Sequence, residues 1–500
     1  MPLAVVYSRA GIGIDAPLVT VEVHVSNGLP GLSIVGLPEA AVKESKDRVR
    51  GAIINSHFEF PAKKIIINLA PADLPKDGGR FDLPIAIGVL LASGQLEAAD
   101  IDGYEFVGEL ALGGELRPVK GVIPVAMQSK FAGRKLVLPV GNEVEAGMLG
   151  NVELYPSSHL IELSRHLAGQ APISPFFAKE DRHLNVFPDL SDVKGQFHAK
   201  RALEICAAGG HSLLMLGPPG TGKTMLASRL PGILPSMSLE EAAESAAIQS
   251  ISHQGFDFAN WRCRTFRSPH HTSSAVALVG GGGNPKPGEI SLAHNGVLFL
   301  DELPEFGRHV LEVLREPMES GKISISRAAR QAEYPANFQL VAAMNPCPCG
   351  YYGDSSGKCN CSQEKVARYR NKISGPLLDR IDMHIEVPRL SNISQLSSDD
   401  KSVESSDVIR QRVEKARLIQ MRRVNKANSD MAVSEIDEFC SLDSKEQDFL
   451  LKTIEKFDLS SRAYHRILKV ARTIADLDKQ SQISLPHIAE AINFRRLDRA

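Results

Sequence analysis

The sequence predicts a mixed α/β protein in which a parallel β-sheet is covered by helices and followed by a helical region. Short apolar strands at residues 212–216, 297–300 and 338–343 alternate with helical segments from about Pro188 onward. This alternation is typical of a parallel sheet with helical crossovers. A glycine-rich loop connects the first of these strands to a helix. Residues 407–497 have a helical pattern throughout, which predicts an all-α C-terminal lid domain.

The first 168 residues predict a separate α+β domain. Residues 19–25 alternate between apolar and polar side chains, and residues 64–69 are rich in β-branched side chains, so both segments are predicted strands. Residues 40–55 have helical spacing, and residues 83–91 are apolar enough for a buried helix. The predicted organisation is an N-terminal domain at 1–168, a linker at 169–187, an α/β core at 188–389 and the helical lid at 390–500.

The bulk composition is that of an ordinary globular protein. The formal net charge is −2, so no global field indicates a nucleic-acid partner, although local basic patches remain compatible with one. No apolar run approaches the roughly 20 residues of a membrane helix, and residues 1–14 do not resemble a signal peptide. The seven cysteines predict reduced thiols or metal ligation. We expect a cytoplasmic protein without a membrane partner.

The glycine-rich loop after the strand at 212–216 has the pattern of a phosphate-binding loop. Its glycines let backbone N–H groups turn toward phosphate oxygens, and the following helix adds the positive end of its dipole. Lys223 is expected to reach the β- and γ-phosphates of ATP, and the Thr224 hydroxyl is expected to bind Mg²⁺. The predicted nucleotide-binding residues are Gly217, Pro218, Pro219, Gly220, Thr221, Gly222, Lys223 and Thr224.

Two carboxylates follow the apolar strand at 297–300. Asp301 is placed to hold Mg²⁺, and Glu302 is placed to polarise the attacking water. An apolar strand that ends in two acidic residues is a weak signal by itself. Its position after a phosphate-binding loop makes it a strong one, because phosphoryl transfer needs a phosphate cradle, a metal and a positioned water.

A phosphate-binding loop followed by an apolar strand that ends in two carboxylates resembles the motifs of AAA+ ATPases, and in particular those of the motor subunits of magnesium chelatase. Asn345 ends the strand at which AAA+ proteins place a polar residue that orients the water. Residues 375–382 look like the arginine-finger region, which implies that Arg380 reaches the γ-phosphate in a neighbouring subunit. Arg462, at the start of a C-terminal helix, matches the second sensor; a cation there is unfavourable unless an anion is near. The alternative for either arginine is a surface ion pair.

The resemblance covers almost the whole chain and is most specific to the bacterial ComM/YifB group. The sequence segments that are similar to this group are residues 35–50, 81–84 and 345–350. The group is described as magnesium-chelatase-like hexameric ATPases, and ComM as a helicase that drives DNA branch migration during natural transformation. The resemblance therefore implies a homo-hexamer that acts on single-stranded or branched DNA, with recombination proteins as further partners.

The N-terminal domain resembles the catalytic fold of Lon protease and S5-like domains. Lon uses a serine and a lysine, but Arg80 falls at the position of the serine within residues 75–82. Lys120 lies in a stretch similar to the Lon lysine segment, and a general base without a nucleophile does not support covalent catalysis. We expect a non-proteolytic scaffold or substrate-binding module.

Four cysteines lie close together after Asn345, and they predict a structural metal site. Two close pairs joined by a loop can supply four thiolates to one tetrahedral Zn²⁺, with no coordination position left for chemistry. Unmetallated thiols and an iron–sulfur cluster are the alternatives. The candidate ligands are Cys347, Cys349, Cys359 and Cys361.

Three segments of the α/β core concentrate cations, and each is either a nucleic-acid contact or simply solvated charge. One of them lies on a predicted β-hairpin at residues 323–334, just before the strand that ends in Asn345. In chelatase-related AAA+ proteins a hairpin at this place projects into the central pore. The resemblance thus makes Arg327 and Arg330 the candidate DNA-binding residues. The other two segments contain Arg262, Arg264, Arg267, His270 and His271, and Lys365, Arg368, Arg370 and Lys372.

These features favour an ATP-driven hexameric DNA translocase or branch-migration helicase. An alternative from another class is a protein-remodelling ATPase that acts as the chelatase motors do, without DNA. An ATP-dependent protease is disfavoured, because the serine is absent. Stimulation of ATP hydrolysis by DNA separates the first hypothesis from the second.

Overall fold

The structure is a computed structural model, and it describes residues 3–178, 187–252, 254–282, 285–327, 330–354, 357–389, 404–457 and 459–495. Part of the predicted linker, 179–186, and most of the polar stretch before the C-terminal helices, 390–403, lie outside the described residues.

The strands are β1 Leu3–Arg9, β2 Leu18–Ser26, β3 Gly31–Val35, β4 Lys64–Ala70, β5 Tyr104–Phe106, β6 Glu109–Leu110, β7 Leu116–Arg117, β8 Lys135–Pro139, β9 Leu154–Ser157, β10 Leu213–Leu216, β11 Phe266–Arg267, β12 Gly280–Gly281, β13 Lys286–Pro287, β14 Val297–Leu300, β15 Lys322–Arg327, β16 Arg330–Pro335, β17 Gln339–Met344 and β18 Met383–Glu386. The helices are α1 Ala40–Asn55, α2 Asp82–Ala92, α3 Val122–Phe131, α4 Glu143–Gly147, α5 Leu160–Leu167, α6 Phe197–Gly209, α7 Lys223–Ala227, α8 Leu230–Ile233, α9 Leu239–Ser250, α10 Ala275–Val279, α11 Glu289–Leu292, α12 Arg308–Glu312, α13 Arg315–Ser320, α14 Gln363–Arg370, α15 Gly375–Leu378, α16 Ser406–Val424, α17 Val433–Phe439, α18 Ser444–Phe457, α19 Ser461–Leu477 and α20 Leu485–Asn493.

The chain forms two compact units, and the first contains Met1–His183 together with Leu239–Trp261. Its seven-stranded sheet has the order β3-β4-β2-β1-β5-β8-β9. The side chains of β2 alternate between buried and partly exposed positions, as a strand with one covered face requires. Helix α2 is buried along nearly its whole length and packs on β1 and β2. The predicted α+β character of this region is confirmed.

Helix α9 belongs to the first unit although it follows the phosphate-binding loop in the sequence. Ala243, Ala246 and Ala247 are buried in the same apolar cluster as residues of α3. The sequence-predicted boundaries place Leu239–Trp261 inside the α/β core, whereas the structure groups this segment with the N-terminal fold. The reason is the alanine-rich face of α9, which leaves room for close helix–helix packing.

The second unit contains Leu184–Ser238 and Arg262–Ala500. Its sheet has five strands in the order β11-β14-β17-β10-β18, and all the strand pairs are parallel. The four residues of β10 and of β14 are buried, as expected for a sheet covered on both faces. The predicted parallel sheet and the helical C-terminal region are confirmed. Helices α16–α20 share one apolar cluster with this sheet.

Two small antiparallel hairpins accompany this sheet. Strands β15 and β16 pair from Lys322–Pro335 to Arg327–Arg330, which confirms the hairpin predicted at 323–334. Strands β12 and β13 form a shorter hairpin. The hydroxyl of Tyr334 in β16 donates to the carbonyl oxygen of Pro285 at 2.8 Å and so connects the two hairpins. Within the described ranges, every helix is too short or too polar to cross a lipid bilayer.

Candidate nucleotide-binding site

The phosphate-binding loop lies between the end of β10 and the start of α7. Gly220 and Gly222 have φ angles of 77° and 87°, in the left-handed region that favours glycine. Gly217 passes so close to the neighbouring strand that a Cβ atom there would lie 2.3 Å from the carbonyl oxygen of Val387. The sequence therefore needs glycine at these places for two different reasons, backbone conformation and lack of space.

Lys223 is buried at the centre of the loop. Its Nζ donates to the carbonyl oxygens of Gly217 at 2.6 Å and Pro218 at 2.9 Å, and to Oδ1 of Asn345 at 3.2 Å. Burial lowers the pKa of Lys223, and the charges of Asp301 and Glu302 oppose this effect. A buried ammonium among carbonyl oxygens is well placed to exchange them for phosphate oxygens, which carry more negative charge. The loop therefore fits a nucleotide phosphate.

Thr224 and Asp301 meet beside the loop. The Thr224 hydroxyl donates to Oδ2 of Asp301 at 2.6 Å, although the two residues are far apart in the sequence. A hydroxyl and a carboxylate from these two elements are oxygen ligands of the kind that Mg²⁺ prefers beside bound phosphates. The pair therefore fits the predicted metal position.

Glu302 adopts an unusual backbone conformation immediately after Asp301. Its φ is 52°, and its backbone N–H donates to Oδ1 of Asp301 at 2.9 Å. A non-glycine residue in the left-handed region is uncommon and is more frequent at functional sites. The side chain is half exposed, so its carboxylate remains accessible to water.

His271 is a site residue that sequence reasoning missed. Its Nδ1 lies 3.3 Å from Oε2 of Glu302. The sequence showed it only as part of a basic segment. The order of the strands is what brings His271 to Glu302. Strands β11 and β14 pair in parallel, His271 follows β11, and Glu302 follows β14. Two other cations of that segment have internal partners: Arg264 donates to Pro235 O at 2.7 Å, and Arg267 pairs with Glu289 at 2.7 Å.

Asn345 connects the loop to the cysteine cluster. Besides accepting from Lys223, it is followed by a turn in which the N–H of Gly350 donates to the carbonyl oxygen of Cys347 at 2.9 Å. Gly350, with a φ of 85°, lies against Pro219 of the phosphate-binding loop, so that a Cβ atom would come within 2.6 Å of the proline ring. The cluster therefore packs directly on the loop.

The four cysteines predicted as metal ligands come together. All four sulfur atoms lie within 4.8 Å of one another. Cys347 Sγ is 3.3 Å from Cys349 Sγ and 3.8 Å from Cys359 Sγ, and the Cys349–Cys359 distance is 3.6 Å. Zn–S bonds of about 2.3 Å in a tetrahedron place sulfurs about 3.8 Å apart. The N–H of Tyr351 lowers the pKa of the Cys349 thiol to about 6. Although the N–H of Cys361 opposes the shift, burial and the hydrogen bond with Cys349 raise the pKa of the Cys359 thiol to about 11. The cluster therefore fits one tetrahedral metal ion.

The two arginines predicted to sense nucleotide have different surroundings. Arg380 is 7% exposed; its Nη1 donates to the carbonyl oxygen of Pro376 at 2.7 Å, and its Nη2 forms an ion pair with Glu319. Arg462 is exposed in the first turn of α19, which begins with a cap in which the N–H of Ala463 donates to the Ser460 hydroxyl oxygen at 3.2 Å.

Two further predictions concern the β15–β16 hairpin and the first unit. Arg327 and Arg330 form the last backbone pair of the β15–β16 hairpin. In the first unit, the Nη2 of Arg80 donates to the carbonyl oxygen of Lys120 at 2.9 Å.

Comparison with known proteins assigns the chain to a family. The family model "Magnesium chelatase, subunit ChlI" matches residues 189–395, "Subunit ChlI of Mg-chelatase" matches residues 21–142, and "Magnesium chelatase, subunit ChlI C-terminal" matches residues 403–495. Competence protein ComM of Haemophilus influenzae is 53% identical over all of this chain and 98% of its own length. The chain belongs to the ComM/YifB family. Protein YifB of Escherichia coli is 52% identical with the same coverage.

The similarity of the ComM/YifB family to magnesium chelatase is more distant. The magnesium-chelatase 38 kDa subunit of Rhodobacter capsulatus is 28% identical over 32% of this chain and 51% of its own length. The matches place the chain among magnesium-chelatase-like AAA+ proteins, which implies an ATPase that uses ATP and Mg²⁺.

Proposed function

We propose that this protein is an ATP-driven, hexameric DNA motor, a translocase or branch-migration helicase that acts in the cytoplasm during DNA recombination or natural transformation. The observation that carries the proposal is the β15–β16 hairpin, which ends in two arginines and precedes the strand that leads to Asn345. The name of the 53% identical relative, competence protein ComM, supports a role in competence.

The nucleotide site supplies the energy in this proposal. Lys223 would exchange its carbonyl partners for the β- and γ-phosphates, while Thr224 and Asp301 would hold Mg²⁺, which neutralises charge on the phosphates when it is bound. Glu302 would orient and polarise the attacking water. Asn345 would lie beside the same phosphates, because it accepts a hydrogen bond from Lys223.

In the proposed hexamer, an arginine of a second subunit completes each site. Arg380 would contribute charge to the neighbouring γ-phosphate, as arginine fingers do, and Arg462 would contact nucleotide from the helical lid of its own chain. The exposed position of Arg462 at a helix N-terminus supports this role, because a cation is favourable there only with an anion nearby.

Zn²⁺ in the cysteine cluster would have a structural role in this motor. Four thiolates leave no open coordination position, and Gly350 holds the cluster against Pro219 of the phosphate-binding loop. The ion would thus fix the connection between the nucleotide site and the segment that leads to Arg380.

The hairpin would grip DNA through its phosphates. Contacts between arginines and phosphates are independent of sequence, which suits a motor that must move along any sequence. The double variant Arg327→Ala/Arg330→Ala should weaken DNA binding and flatten its salt dependence by up to about two units of slope, while hydrolysis without DNA continues. Lys322→Ala is the matched control, because Lys322 lies at the base of the same hairpin and pairs with Glu333 at 2.8 Å. An unchanged affinity and salt slope in a hexameric double variant would rule out the hairpin as the gripping element.

A second candidate is a protein-remodelling ATPase without a DNA substrate. The matches of three chelatase family models along the chain favour this candidate. The two proposals make opposite predictions for a branch-migration assay with labelled three-stranded DNA. The DNA motor should displace the labelled strand when ATP is present, and Lys223→Ala should not. If the wild type hydrolyses ATP but leaves branched DNA unchanged in this assay, the remodelling candidate is favoured.

A further inference from the structure

Arg380 is buried in a contact with its own chain, which is unexpected for a residue that serves a neighbouring subunit. It has only 7% exposure, and its guanidinium is held by the Pro376 carbonyl and the Glu319 carboxylate. Its Nε is buried without a hydrogen-bond partner among the described residues. The guanidinium is therefore only partly satisfied in this position, and a stronger acceptor elsewhere can compete for it.

The backbone at Arg380 is fixed, so that only the side chain has to move. The N–H of Arg380 donates to Leu377 O at 3.1 Å, and its carbonyl oxygen accepts from the Ser212 hydroxyl at 3.3 Å. Ser212 immediately precedes β10, the strand that leads into the phosphate-binding loop. A rotation of the long side chain therefore changes its partner without disturbing the sheet.

Glu319 connects Arg380 to the β15–β16 hairpin. It lies in α13, which ends at Ser320, and the capping residue Gly321 directly precedes β15. Both ends of the hairpin are bonded to this helix end: the N–H of Lys322 donates to the Ser320 hydroxyl at 3.2 Å, and the N–H of Ala336 donates to Gly321 O at 2.7 Å. Both strands of the hairpin are thus joined at their base to the end of the helix that carries Glu319.

We propose that Glu319 is a positioning residue that holds Arg380 in a resting position, and that a load on the β15–β16 hairpin releases Arg380 to the nucleotide site of the neighbouring subunit. The inference rests on the proposed function, because it assumes that Arg380 acts in a neighbouring subunit. The Glu319 side chain is 53% exposed, so the ion pair is a weak latch that a γ-phosphate can outcompete. The latch keeps hydrolysis slow until the substrate is engaged.

The test compares ATP hydrolysis by the full-length hexamer with and without single-stranded DNA for Glu319→Gln. Loss of a half-exposed ion pair should raise the DNA-free rate about threefold and leave the DNA-saturated rate close to that of the wild type. Glu319→Lys should raise the DNA-free rate further, because it repels Arg380. Damage to the fold would lower these rates. DNA-free rates that rise from the wild type to Glu319→Gln and further to Glu319→Lys therefore distinguish a latch from a merely structural ion pair.

Two further variants make the result decisive. Glu316→Gln changes an exposed acid of the same helix and should behave like the wild type. Glu319→Gln/Arg380→Ala should be no faster than Arg380→Ala alone, because the gain depends on the released arginine. DNA-free rates for Glu319→Gln and Glu319→Lys equal to that of Glu316→Gln would overturn the proposal. A wild-type rate that does not respond to DNA would instead reject the DNA motor, and the DNA-free comparison would still decide the latch.

Discussion

Lys223 and Glu302 have separable tasks at the residue scale. Lys223 is buried among oxygen acceptors, whereas Glu302 is half exposed beside Asp301 and His271. Lys223→Ala should abolish nucleotide binding, since the phosphates lose their point charge. Glu302→Gln should bind ATP normally but lower kcat by at least about a hundredfold. Fluorescent-nucleotide binding and steady-state hydrolysis measure both effects, and normal turnover by either variant would refute the site assignment.

Arg462 and Arg466 lie one turn apart on α19, so the effects of their alanine variants on stability can be compared. Arg466 forms an ion pair with Asp382, which also accepts from the N–H of Ser212 at 2.9 Å. Although burial opposes it, Arg466 together with His211 holds the pKa of the Asp382 carboxyl well below its usual range, so the carboxyl is charged at neutral pH.

Removing Arg466 would leave that buried charge without its main partner. Arg466→Ala should therefore destabilise the second unit by about 3 kcal/mol in urea denaturation. Arg462→Ala is the control: it should change stability by less than about 0.5 kcal/mol while weakening nucleotide affinity. Equal stability of the two variants would contradict the role of the Arg466–Asp382 pair.

The cysteine cluster is an element whose stability should depend on a metal. Purified protein should carry about one Zn²⁺ per chain, because four thiolates form one tetrahedral site. Cys359→Ser should lose the ion and lower the Tm, whereas Cys263→Ser, outside the cluster, should retain it. Metal analysis together with thermal denaturation in chelator tests this prediction. Protein without zinc whose Tm is unaffected by chelator would contradict it.

The sequence predicted elements well where the signal is local. The phosphate-binding loop, the strand Val297–Leu300 and the β15–β16 hairpin each have their pattern within a few consecutive residues. The packing of α9 was not predictable, because its alanine-rich face shows that it packs closely but not against which helix. The pairs Glu319–Arg380 and His271–Glu302 were missed for the same reason: each joins residues that only the folded chain brings together.

At the scale of the whole molecule, the second unit contains all the described parts of the proposed motor. The nucleotide site, the cysteine cluster, the hairpin and Arg380 belong to the unit of Leu184–Ser238 and Arg262–Ala500. In this unit the C-terminal helices share their apolar core with the sheet that carries the site. This organisation suits a motor in which hydrolysis and substrate binding affect each other.

The central claim is that ATP hydrolysis at this site is coupled to DNA. The most direct measurement is the steady-state rate of ATP hydrolysis by the wild-type protein without DNA, with single-stranded DNA and with branched DNA, with Glu302→Gln as the background. We predict that either DNA raises the rate several-fold, that Glu302→Gln stays at background throughout, and that high salt removes the stimulation, because DNA binding through phosphates weakens as salt rises. A wild-type rate that is well above background but identical with and without DNA, at low as well as high salt, would contradict the account.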